Sequence, residues 1–300
     1  KLKQMCFFFL LVFFLNLEIL GVVVTRAERS NYSNVVAAIV EHRPLKNLPT
    51  VFENFLTVLP GDVQIYFFCS PDSSNKVHSK LGEAPFEKER IIFIENYFGG
   101  LESISVMSKK IYNRLILDDG LWNLFYNAQK AVVLLFEHDS FLCKNPSNSL
   151  QNFIQFGYIG APWLTRSCKT CKTKRLKHAK SRAFFPIPVG NSGLSIMNTE
   201  LMLKVTSTFV RKRTQRLAAA TLLRGGCDVY LSAVLQDKRF TSYFKNFSVA
   251  PVHTAKLFSV ESLLDNSYTP FGGHGPCTFA NELKNICPQA SKACHVLSLN

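Results

Sequence analysis

The chain has 300 residues, 47% of them hydrophobic and 19% charged, enough to bury a sizeable core and too apolar for a disordered protein. Its 35 Lys+Arg against 21 Asp+Glu give a formal charge of +14, and the excess is local: between Leu164 and Cys227 fourteen Lys/Arg stand against the single Glu200. One face should therefore be strongly basic and suited to phosphate, an anionic glycan or an anionic membrane surface, while nine cysteines fit a secretory compartment better than the cytosol.

Residues 1–4 are basic, residues 6–15 are an unbroken apolar run, and the run resumes at 19–24 after Asn16 and Glu18. The segment 1–29 reads as a cleaved signal peptide or as a signal-anchor kept in the membrane, with a buried hydrophobic helix as the bland alternative. Signal and anchor alike place the remainder in the secretory pathway, in the Golgi or ER lumen, either anchored as a type II membrane protein or secreted. The sequons Asn31-Tyr32-Ser33 and Asn246-Phe247-Ser248 agree with luminal exposure. A luminal chain also argues against nucleic acid as the partner of the basic run.

From Asn34 the pattern alternates. Residues 34–41 (NVVAAIVE) read as a strand and 48–59 as a helix with Val51, Phe52, Phe55 and Leu59 on one face. A second strand at 63–69 runs into the turn cluster Ser70-Pro71-Asp72-Ser73. A helix over 75–81, a strand at 90–94 and helices over 103–115 and 121–128 follow, with Asp118 and Asp119 as capping residues between the last two. This order predicts a doubly wound, mostly parallel sheet across the first half.

The strand at 131–136 ends abruptly in Glu137-His138-Asp139. Acids at the carboxyl end of a buried strand stand in the crevice where open α/β sheets bind ligands, and carboxylates with an imidazole suit a hard divalent cation. Asp139 as a plain turn cap is the competing reading. Residues 156–163 (FGYIGAPW) contain Pro162 and two glycines and read as a loop, with Tyr158 and Trp163 as rings for a sugar or as core packing. The segment 164–188 reads as an exposed basic insertion whose Cys168 and Cys171 lack the second pair that zinc needs. In VGNSGLSI (189–196), Gly190, Asn191 and Gly193 offer close backbone approach to a ligand, and Asn198 can cap a helix over 199–209. A second basic cluster includes Arg224. Asp228 then opens a helix to about Leu235, as a cap or as a catalytic carboxylate, and PFGGHGP places His274 in a glycine-rich loop as a candidate ligand. The body should end near residue 280, followed by a cysteine-containing tail (281–300), and Cys277, Cys287 and Cys294 are candidates for disulfide pairing among themselves.

FEHDSFLC, FGYIGAPW, VGNSGLSI, CDVYLS, AKLFSVES and PFGGHG occur in the order of an uncharacterised domain family similar to glycosyltransferases, over about 34–278. The second half resembles, more distantly, the Fringe-type and galactosyltransferase enzymes of the A-type glycosyltransferase fold. The resemblance implies a Rossmann-like mixed sheet with flanking helices, a divalent cation (Mn2+ or Mg2+), a nucleotide-sugar donor and a glycan or protein acceptor. It makes Asp139 with Glu137 the metal motif, His274 the late metal ligand and Asp228 the base; beside these, the reading of the residues themselves offers Tyr158, Trp163, Gly190, Asn191, Gly193 and Arg224 as candidates around donor and acceptor. Two positions depart from the pattern: the metal motif reads Glu-His-Asp instead of Asp-x-Asp, and Cys227 stands where Glu is expected.

Overall fold

The computed structural model describes residues 32–81, 88–95, 97, 109–144, 148–163, 189–210, 226–236, 241–261, 264 and 267–298. The N-terminal apolar segment, the insertion 164–188 and Arg224 lie outside them. Among the described residues no helix is long and apolar enough to cross a membrane.

Four apolar runs form parallel strands: β1 (Val35–Glu41), β2 (Gln64–Cys69), β3 (Ile91–Glu95) and β4 (Val132–Phe136). Runs without polar alternation belong to strands covered on both faces, and every residue of β1 and β4 is buried. β1 pairs with β2 on one side and β4 on the other, and β3 joins β2. β6 (Tyr158–Pro162) and β7 (Val189–Asn198) complete the sheet, β7 antiparallel to both β4 and β6, in the order β3-β2-β1-β4-β7-β6. The chain steps outward from β1 to β3, then returns to the other side of β1 as β4. That reversal leaves a crevice beyond the carboxyl ends of β1 and β4.

Helices cover both faces because successive strand residues point opposite ways. Val35, Ala37 and Ile39 meet α1 (Leu48–Val58) and α2 (Pro71–Leu81), where the Phe55 ring stacks on Phe136 with centroids 3.9 Å apart. Val36, Ala38 and Val40 share a second core with α3 (Lys109–Ile116), α4 (Asp119–Asn127), α5 (Thr199–Val205) and α6 (Cys227–Gln236). A small second sheet stands over the crevice. In it β5 (Ser140–Leu142) pairs antiparallel with β9 (Gly272–His274), which runs parallel to β8 (Ser259–Val260) at the end of α7 (Val252–Phe258).

Several expectations change. Ser70-Pro71-Asp72-Ser73 is the start of α2 rather than a turn before it: Pro71 is the first helical residue, and the Ser70 hydroxyl accepts from Ser73 N at 3.2 Å. FGYIGAPW is an edge strand rather than a loop. Its pairing slips at Gly160/Ala161 and Ala161/Pro162, and an edge tolerates both glycine and proline. The helix expected over 103–115 is described from Lys109 to Ile116, and Asp118 holds the cap position of α4 without a side-chain cap bond. Asn198 does cap α5, accepting from Leu201 N at 3.0 Å. His274 lies on strand β9 with its side chain only 18% exposed, not in an open loop. The tail forms α8 (Ala280–Leu283) and α9 (Pro288–Ser298), and Leu283, Cys287 and Ala290 pack on Phe141, Cys143 and Val260. Cys277 pairs with Cys294, but Cys287 pairs with Cys143, beyond the set expected from the tail alone.

Candidate metal and donor site

The acidic turn is held before any ligand arrives. Ser140 N donates to Glu137 O at 3.0 Å, and Glu137 N donates to Gly193 O at 2.9 Å. The Ser140 hydroxyl closes the turn by donating to that same Gly193 carbonyl at 2.6 Å. The chain leaves β4, turns through Glu137-His138-Asp139 and enters β5, whose Ser140 is in register with His274. This pairing, across more than a hundred residues of sequence, brings the imidazole over the two acids. His274 Nε2 lies 3.0 Å from Asp139 Oδ1 and 3.4 Å from Glu137 Oε2. On its other edge, Nδ1 is 3.8 Å from Glu261 Oε1, just past the end of β8. Gly193 is the residue that makes room: a Cβ there would overlap the His274 ring.

Electrostatics tie the group together. Burial pushes the Asp139 carboxyl up, but the imidazole of His274 and the charge of His138 outweigh it and hold the group below its ordinary value. Burial opposes protonation of His274, yet Asp139, Glu137 and Glu261 raise its pKa well above 6.5. One ligand atom each from Glu137, Asp139 and His274 fall within 4.8 Å of one another. Asp139 Oδ1 and His274 Nδ1 are buried without an aligned hydrogen bond among the described residues. Buried polar atoms are normally satisfied, so two carboxylates and an imidazole converging in this state fit a divalent cation.

Asp228 falls inside the first turn of α6, two residues after the cap position, and its carboxylate accepts from Val229 N at 2.8 Å. It shares a neighbourhood with the acidic turn: burial first, then the charges of Glu137, Cys227 and Asp228, raise the Tyr112 hydroxyl well above its ordinary pKa. Three other expected binders make contacts within the fold. Tyr158 is fully buried with its hydroxyl donating to Gly190 O at 2.6 Å, so its ring offers no sugar platform. Trp163 is 8% exposed and lies over Gly190, where a Cβ would overlap Ser232. Asn191 accepts from Gly193 N at 2.9 Å, which shapes the strand under His274.

Sequence reasoning missed Glu41 and Arg43 at the carboxyl end of β1. The Glu41 carboxylate, 3% exposed, accepts from Arg43 Nε at 2.8 Å and Nη2 at 2.6 Å, and lies 3.5 Å from His138 Nδ1. The available signal was an acid closing the apolar run NVVAAIVE, as Glu137 closes VVLLF. Tyr112 was missed too, and so was Glu261, which stands inside the AKLFSVES segment without a second acid or imidazole beside it to mark it.

A mixed sheet of this order, with a small sheet over the carboxyl end of its central strand, is the A-type glycosyltransferase fold. The galactosyltransferase LgtC, solved in complex with donor and acceptor sugar analogs, superposes with a TM-score of 0.50 at 13% identity, covering 87% of this chain and 94% of that one. No curated protein is similar enough in sequence to match. The chain belongs to the family described as a protein of unknown function (DUF5672), whose model matches residues 98–274.

Proposed function

We propose that the protein is a metal-dependent glycosyltransferase that moves a sugar from a nucleotide-sugar donor to an acceptor hydroxyl in the secretory pathway. The observation that carries this reading is the convergence of Glu137, Asp139 and His274 at the carboxyl end of the central strand of a glycosyltransferase-type sheet. These three residues would hold Mn2+ or Mg2+, which supplies a positive charge against the departing diphosphate. Asp228 is the candidate base: a carboxylate within hydrogen-bond reach of the acceptor hydroxyl takes its proton as the glycosidic bond forms. The hydroxyl oxygen then gains the bond that the diphosphate oxygen loses. Two disulfides and an exposed Asn246 in the second sequon support an oxidising, luminal setting. A binding protein without turnover would need presented aromatic rings, and burial of Tyr158 and Trp163 speaks against it.

The two acids should fail differently. Asp139→Ala should lose metal-dependent binding of the sugar nucleotide. Asp228→Asn should keep that binding and lose transfer by roughly a hundredfold or more, the scale of a lost general base. Full transfer by Asp228→Asn would remove the base assignment.

A further inference from the structure

We propose that Arg43 is an anion-binding element of the crevice, set to take a phosphate oxygen of the donor's diphosphate beside the cation held by Glu137, Asp139 and His274. The proposal rests on the glycosyltransferase reading above. β1 and β4 are neighbours with Ile39 in register with Phe136, so each strand's continuation reaches the crevice side by side and Glu41 meets His138 there. Burying a carboxylate such as Glu41 is expensive unless it is paired and hydrogen-bonded. Here it is: Arg43 donates from its backbone N at 2.9 Å and through Nε and Nη2 to both oxygens. What the burial yields is a guanidinium with a fixed plane. His138 Nδ1, 3.5 Å from both Nη2 and Glu41 Oε2, adjoins that same edge, and Asn47 fixes its turn by donating to His138 O at 2.6 Å.

The fork is held but not consumed. Nε and Nη2 are occupied by Glu41, while Nη1 donates to nothing among the described residues and the side chain is 34% exposed. The charges of Asp139 and Glu137 add to the Glu41 hydrogen bonds in keeping Arg43 protonated, which fits its place beside the acidic turn. A planar, always-charged donor with a free edge next to a cation site matches phosphate oxygens better than an ammonium would. Glu41 is then a positioning residue, acting through Arg43.

The test is calorimetric titration of the full chain with Mn2+ alone, then with UDP, GDP or inorganic pyrophosphate at saturating Mn2+. Arg43→Lys keeps the charge that Glu41 needs but loses the fork. The double variant Glu41→Gln/Arg43→Gln removes both charges together, so no buried charge is left unpaired. Both variants should bind Mn2+ within about twofold of wild type and bind the diphosphates roughly tenfold or more weakly, as loss of a charged hydrogen bond implies. Undiminished diphosphate binding in both variants overturns the Arg43 subsite while leaving the glycosyltransferase reading intact. Equal weakening of Mn2+ and diphosphate also overturns it, making the pair a structural strut. If wild type binds Mn2+ but no diphosphate, the functional reading itself fails.

Discussion

Gly193→Ala should weaken the candidate metal site without altering a ligand. An alanine Cβ would lie 2.6 Å from His274 Nδ1 and nearer still to Cγ and Cδ2. Carbon-based contacts are comfortable at about 3.5–4.0 Å, so the ring must back away by roughly 1 Å. The strand cannot retreat instead, because the Gly193 carbonyl anchors Glu137 N at 2.9 Å and the Ser140 hydroxyl at 2.6 Å. Ligand positions tolerate only about 0.2 Å, so either adjustment spoils the set. Mn2+ affinity should fall about 10–100-fold, the range for disturbed support of a metal ligand, with an overpacking cost of about 1–3 kcal/mol. Gly190→Ala is the control. It is strained at φ +150° and would overlap Ser232, away from the His274 ring, so it should destabilise the protein and spare Mn2+ affinity. Mn2+ titration beside urea denaturation reads both quantities. Wild-type affinity in Gly193→Ala, or equal loss in both variants, would refute the reasoning.

Metal-free stability should depend on pH through His274. Its folded pKa is raised above 6.5, so its contribution is complete below about pH 6.5 and is lost as pH climbs through the folded value. Asp139, lowered, contributes above its unfolded value near 3.9 and loses that only as pH falls through its folded value. The urea midpoint of chelator-treated protein should therefore decline from about pH 6.5 upward, and His274→Gln should flatten that decline. A slope that survives the substitution would assign it elsewhere. The two disulfides among the described residues should be unequal: Cys143–Cys287 spans 144 residues and Cys277–Cys294 spans 17. On chain entropy alone, removing the first should cost about 2 kcal/mol more than removing the second. Denaturation of the paired Cys→Ser variants tests this, and a larger loss for Cys277–Cys294 contradicts it.

The doubly wound half was legible because strands buried on both faces must be written as apolar runs, and β1, β2 and β4 are. What hid was structure fixed by distant partners. β6 carries Gly160 and Pro162, which read as a loop until an edge position, with Gly160 against the Asn191 carbonyl, explains them. β9 is three residues among glycines, and its strand character comes from pairing with β5 and β8. Asp139 and His274 were visible as chemistry without a scaffold, and the register of Ser140 with His274 supplies it. Gly193 was read as a place for a ligand to approach, whereas the space is filled by His274 itself. Glu41 and Arg43 belong to no motif in the sequence, and only the burial of Glu41 and its bonds to Arg43 single them out.

The most direct test of the central claim is a screen of sugar nucleotides for hydrolysis or transfer by the full chain, with Mn2+ or Mg2+ and again with excess chelator. The account predicts turnover of at least one sugar nucleotide, abolished by chelator and by Asp139→Ala, which removes a partly buried carboxylate 3.0 Å from His274. Folded protein that neither binds nor turns over any sugar nucleotide with metal present would contradict it, as would turnover unchanged by chelator and by Asp139→Ala.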